Sequence, residues 1–140
     1  MEKIYSSDGK ILLHIIFRKK DFINQRTDIS PAEEFLQLSS LKLEKGKTFR
    51  PHKHIFHEKI TNIAQESWVV IQGKVKALLY DLDDKITKEV ILGPGDVSLT
   101  FKGGHNYEIL EENTLVYEYK TGPYLGQKFD KVFIDWGKKW

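Results

Sequence analysis

Short runs rich in β-branched and aromatic residues recur along almost the whole chain, broken by Gly, Asp and Asn, while the spacing of an amphipathic helix is nearly missing. Apolar residues arranged this way can be buried between sheets but not along helix stripes. The alternation predicts strands over residues 11–17, 35–43, 48–55, 67–72, 74–80, 88–92, 96–101, 105–110, 114–120 and 131–136. Turns are expected where "DLDDK" (81–85), "GPGD" (93–96) and "KGGH" (102–105) supply residues that accept a tight bend. A single helical turn is expected at "SPAEE", with Ser30 as cap, Pro31 at the first helical position and Glu33 closing a capping box. The fold class expected is all-β, in one domain spanning 1–140, since 140 residues suit a single core.

Within that frame the stretch "FRPHKHIFHE" stands out, because it gathers His52, His54 and His57 with Glu58 directly behind. If residues 48–54 are extended, Thr48, Arg50, His52 and His54 share one face, and Phe49, Pro51 and Lys53 the other. On a helix the two histidines of H-x-H would diverge, so the pair can chelate only from a strand. Arg50, on the histidine face, would project inward and requires an anionic partner there, either a protein carboxylate or a bound ligand. His14, in an apolar strand, reads as a structural histidine, and His57 as a loop residue.

Composition removes several function classes. There is no cysteine, which excludes disulfides, thiolate metal sites and cysteine nucleophiles, so a metal would be held by His, Asp and Glu. The net charge of +2 is spread along the chain, without the basic patch that nucleic-acid binding uses. The run 11–17, interrupted by His14, is too short for a signal peptide or a membrane span, and a cytoplasmic location is expected.

The spacing of Gly46, His52-x-His54, Glu66 and Gly73 resembles the first motif of the cupin superfamily, G-x5-H-x-H-x3,4-E-x6-G, with an insertion of about seven residues before the glutamate. Glu58 keeps the family's distance from His54, whereas Glu66 keeps its distance to Gly73. Glu66 is preferred because Glu66, Trp68 and Val70 share a strand face, and a loop absorbs an insertion more easily than a strand register does. "GDVSLTFKGGHNYEI" resembles the second motif, G-x5-P-x-G-x2-H-x3-N, loosely: Gly95 and Gly103 are in place, His105 follows Gly103 after one residue instead of two, the proline position holds Phe101 and the asparagine position Ile109. The tail "TGPYLGQKFDKVFIDW", together with "DISPAEEFLQ" near the start and "QESWVVIQGKVKALLYDLD" in the middle, resembles small single-domain cupins associated with bacterial sugar and surface-polysaccharide metabolism.

The resemblance implies a jelly-roll (double-stranded β-helix) barrel of two antiparallel sheets, a homodimer, and a divalent metal ion held by His52, His54, Glu66 and His105. Iron, manganese, nickel and zinc all suit that donor set. Arg50, Trp68 and Tyr107 would line the substrate side, with Tyr117 and Tyr119 as further aromatic candidates. Two functions follow as expectations: a metal-dependent isomerase, epimerase or oxygenase acting on a small polar substrate such as a sugar or sugar nucleotide, with Tyr107 or Glu108 moving the proton, or a non-catalytic cupin that senses or carries a small molecule or metal.

Overall fold

A computed structural model describes residues 1–135. The strands β1 (Glu2–Tyr5), β2 (Leu12–Phe17), β3 (Arg26–Asp28), β4 (Ser39–Leu41), β5 (Glu66–Gln72), β6 (Val75–Tyr80), β7 (Ile86–Leu92), β8 (Val97–Thr100), β9 (His105–Ile109) and β10 (Leu115–Lys120) are followed by a short helix α1 (Gln127–Asp130). All pairings are antiparallel: a five-stranded sheet in the order β1-β2-β8-β5-β10, a three-stranded sheet β7-β6-β9, and the small ladder β3-β4.

Strand alternation explains how the two larger sheets meet. Ile4, Ile16 and Val70 from the first pack against Val75, Ala77, Leu79, Val90 and Leu92 from the second. Each of the buried Ile, Val and Leu side chains contributes about 1.5–3 kcal/mol relative to an exposed one. The residues between them point to the opposite face of the five-stranded sheet, where Ile15, Phe17, Val97, Leu99 and Phe101 form a second cluster with Ile29 and the partly buried Leu38. The chain around β3 and β4 covers that face, tied by the Ile29 amide donating to the Leu38 carbonyl at 2.9 Å.

The turns follow from their residues. Across 81–85 the Asp81 amide donates to the Lys85 carbonyl at 2.8 Å, closing the β6–β7 hairpin. At 93–96 the Asp96 amide donates to the Gly93 carbonyl at 2.9 Å, and Gly95 takes a positive φ of 84°.

The expected architecture holds at the level of antiparallel sheets and departs from it in closure. Among the described residues the sheets do not close into a barrel: β1 and β10 end one sheet, β7 and β9 the other. The strand expected over 35–43 shrinks to Ser39–Leu41, and the one expected over 48–55 forms no ladder, its residues all exposed. Pro51 has no N–H to donate, and Arg50, His52, Lys53 and His54 gain nothing from burial, so β propensity finds no neighbour to reward it. No helix forms at "SPAEE": the Ser30 hydroxyl accepts from the Leu38 amide at 3.0 Å instead of capping, leaving one turn in which the Glu34 amide donates to the Pro31 carbonyl at 3.1 Å. Residues 131–135 form no strand, and Trp136, the end of that expectation, lies outside the described residues. Among the described residues no helix is long and apolar enough to cross a membrane.

Candidate functional site: a pocket at the end of the two sheets

Register sets the site. Across the five-stranded sheet His14 stands opposite Thr100, Thr100 opposite Glu66, and Glu66 opposite Lys120; one step along, Ile16, Ser98, Trp68 and Glu118 form the next row. In the facing sheet Leu79 stands opposite His105, and Ala77 opposite Tyr107. Towards one end, therefore, the aliphatic core gives way to polar rows from both sheets. There they line a cavity of about 480 Å³, within the range of small-molecule sites.

The centre of the cavity is the meeting of Glu66 and His105. His105 Nε2 donates to Glu66 Oε1 at 3.1 Å, and Trp68 Nε1 donates to the same oxygen at 3.2 Å and to Glu118 Oε2 at 3.3 Å. Lys131 Nζ lies 3.7 Å from the other Glu66 oxygen. Burial alone would raise the Glu66 pKa, but the His105 hydrogen bond, aided by the charges of His105, Lys131 and Lys120, outweighs it and holds the carboxyl below its ordinary 4.5. His105 Nδ1 is buried with no hydrogen-bond partner.

Trp68 and Tyr107 stack face to face, with ring centroids 4.0 Å apart and an interplanar angle of 13°. The Tyr107 hydroxyl pairs with Ser98 Oγ at 2.8 Å, and burial pushes its pKa well above 10.0, against the pull of that hydrogen bond. A phenol so held keeps its proton, which makes Tyr107 unsuited to act as a base. Glu108 sits one residue along β9, so its exposed side chain points away from the cavity. Glu108 is therefore not placed to move a proton in the cavity, and Tyr107, which lines it, is excluded only as a base.

One wall is built around His14, which is fully buried. Its Nε2 contacts the Tyr80 carbonyl at 3.0 Å, and a carbonyl only accepts, so Nε2 carries the proton and Nδ1 accepts from Thr100 Oγ1 at 3.0 Å. Burial lowers its pKa from 6.5 to about 4, as expected of a structural histidine. Gly103, with φ +77°, lies against this pair: a β-carbon there would collide with the Tyr80 carbonyl oxygen and lie 3.3 Å from His14 Nε2.

Of the residues singled out from sequence, Glu66, His105, Trp68 and Tyr107 come together in the pocket. His52, His54 and Arg50 do not join them: all three are exposed on the segment that forms no strand, where His52 Nδ1 donates to the Arg50 carbonyl at 3.0 Å and the two imidazoles pack edge to face at 5.5 Å. Arg50 thus meets no buried charge, and Glu58 and His57 share its exposed segment. Tyr117 and Tyr119, opposite Val69 and Ser67, lie exposed on the outer face rather than in the pocket. Among the described residues no three His, Asp or Glu side chains gather as a metal site would require. Sequence reasoning missed Glu118 and Lys131; Glu118 was recoverable as a same-face neighbour of Trp68 once β5 and β10 are paired, whereas Lys131 carries no local signal.

Compared with known proteins, the chain matches no protein-family model, no curated protein and no solved structure.

Proposed function

We propose that this chain is a cupin-like domain whose pocket binds a small polar molecule, such as a sugar or sugar nucleotide, together with a divalent metal ion. The observation that supports it is the convergence of Glu66 and His105, 39 residues apart, at 3.1 Å inside the cavity. A carboxylate oxygen and an imidazole nitrogen are donors that divalent iron, manganese, nickel and zinc accept. Glu66 and His105 would hold the ion, and His52 and His54 would complete its donor set. The outer edge of β9 has no strand beside it among the described residues, and segment 48–55 has strand-like alternation and no ladder, so that edge offers the segment a place beside His105. When bound, such an ion supplies Lewis-acid stabilisation to an oxygen of the ligand. The chain's own residues do the rest: the Trp68–Tyr107 stack gives the ligand a rigid apolar wall, and Glu118, in the cavity lining, offers a hydrogen-bond acceptor.

A second reading, a non-catalytic binding pocket, is favoured by one observation: neither Tyr107, held protonated, nor Glu108, pointing outward, is placed as a base. Thermal unfolding with excess Mn²⁺, Co²⁺, Ni²⁺ or Zn²⁺ tests the metal, because an ion that binds only the native state raises Tm. The expected result is a rise for at least one ion in the wild type and its loss in His105→Ala. No rise with any ion removes the metal and leaves the pocket alone.

A further inference from the structure

The outer face of the five-stranded sheet is covered over one half only. Above β2 and β8 the chain around β3 and β4 buries Ile15, Phe17, Val97 and Leu99, and the cover ends at the partly buried Val69 of β5. Beyond it, Tyr117 and Tyr119 stand opposite Val69 and Ser67, 59% and 54% exposed, and Leu115 is 55% exposed on the same strand. The charged residues of β10, Glu118 and Lys120, point to the other face, opposite Trp68 and Glu66. β10 is also an edge: among the described residues no strand lies on its outer side. The Thr121 amide donates to the Gln65 carbonyl at 3.0 Å, so by alternation the Tyr119 and Tyr117 amides also point towards β5. The N–H and C=O groups of Val116, Glu118 and Lys120 therefore point outward, where a further strand could take them up.

We propose that this edge is a dimer surface: β10 pairs antiparallel with β10 of a second copy about a two-fold axis at Tyr117, joining two five-stranded sheets into one. The order of residues along the strand makes it complementary to itself, as a two-fold interface requires. With Tyr117 on the axis, Val116 stands opposite the partner's Glu118, and the two exchange backbone hydrogen bonds through the groups that point outward. Tyr117 then meets the partner's Tyr117, and Leu115 meets the partner's Tyr119, at non-hydrogen-bonded positions where side chains lie closest. Each exposed apolar or aromatic side chain of the strand thus gains an aromatic or aliphatic cross-strand neighbour, a pairing that stabilises sheets. An axis one residue along, at Glu118, would set two carboxylates directly opposite each other, which is destabilising. The edge strand β7 lacks this self-complementarity and carries Lys88 and Glu89 in its middle, charges of the kind that keep edges apart. An axis that pairs antiparallel edges stands perpendicular to the sheet, so the pocket faces of both copies lie on one side of the joined sheet.

The chain has no cysteine, so a single introduced thiol reports the axis. Under mild oxidation Tyr117→Cys is expected to form an intermolecular disulfide, because Cα atoms facing each other in a non-hydrogen-bonded pair lie about 4.5 Å apart, within reach of that bond. Tyr119→Cys, whose two copies would lie roughly 14 Å apart, and Thr87→Cys on β7 are expected to stay unlinked. Linking at either of these as readily as at Tyr117, or no linking at Tyr117, overturns the axis. Sedimentation equilibrium over a dilution series is expected to show a wild-type dimer. Tyr117→Lys, which sets two ammonium groups face to face, is expected to weaken association at least about tenfold while far-UV circular dichroism stays native. A dimer that this variant does not weaken has its interface elsewhere and overturns the proposal. A wild type that is monomeric throughout the series overturns it too, and leaves the strip to a different partner.

Discussion

Glu66 Oε1 and His105 Nε2, carried by strands of different sheets, lie 3.1 Å apart. Their contact ties the open end of the fold together. Replacing His105 by Ala leaves a carboxylate that is 8% exposed without its first partner, and a hydrogen bond to a charged group is worth about 1.5–3 kcal/mol. His105→Ala should therefore lose about that much in urea unfolding at pH 7.

The same pair gives a pH signature. The folded Glu66 pKa lies below its ordinary 4.5, so the unfolded chain binds a proton more readily, and the contribution is complete above about 4.5. It is lost as pH falls through the lowered folded value. Glu66→Gln should flatten the acid limb of the stability profile below that pH, which chemical unfolding at successive pH values reads directly.

His14 acts in a higher window. Its folded pKa of about 4 lies below the ordinary 6.5, so stability is full above 6.5 and falls as pH drops towards 4. A shift of that size corresponds to about 3 kcal/mol, an upper figure for a fully buried ring. His14→Asn, although less stable at pH 7, should show a shallower decline between those limits. An unchanged slope would mean that another group carries it.

Gly103 and Gly9 separate backbone strain from close approach. Both have positive φ, +77° and +74°, but a β-carbon at Gly9 meets nothing within 4 Å, whereas at Gly103 it collides with the Tyr80 carbonyl. Gly9→Ala should cost about 1 kcal/mol from conformation alone. Gly103→Ala should cost about 1–3 kcal/mol and also disturb His14, detectable as a changed imidazole NMR signal.

Ser98 and Tyr107 should prove coupled. Ser98→Ala strands the buried phenol and should cost about 1–3 kcal/mol, while adding Tyr107→Phe removes the stranded group and should recover part of that loss. Strict additivity in the double-mutant cycle would show that the 2.8 Å contact contributes nothing.

How far the sequence could lead depended on whether a residue's partners were local. Alternation from 66 to 72 and from 105 to 110 placed Glu66 and Trp68 on one face and His105 and Tyr107 on one face, because period-2 geometry is local. The turns at 81–85 and 93–96 were legible for the same reason: their Gly, Pro and Asp residues specify the bend. Segment 48–55 was not. Its alternation is real, yet a strand exists only where a neighbour pairs with it, and in this structure none does. Lys131 was illegible because it reaches Glu66 through a connection that follows no periodic rule.

In the proposed site, Glu66 and His105 bind a divalent cation with His52 and His54. Equilibrium dialysis of metal-stripped protein against Mn²⁺, Fe²⁺, Ni²⁺ and Zn²⁺, followed by elemental analysis, tests it most directly. Stoichiometric uptake of at least one of these ions by the wild type is expected, abolished in Glu66→Ala and in His105→Ala and weakened in the His52→Ala, His54→Ala double variant. Stoichiometric uptake that persists in His105→Ala, or no uptake by the wild type, would contradict it.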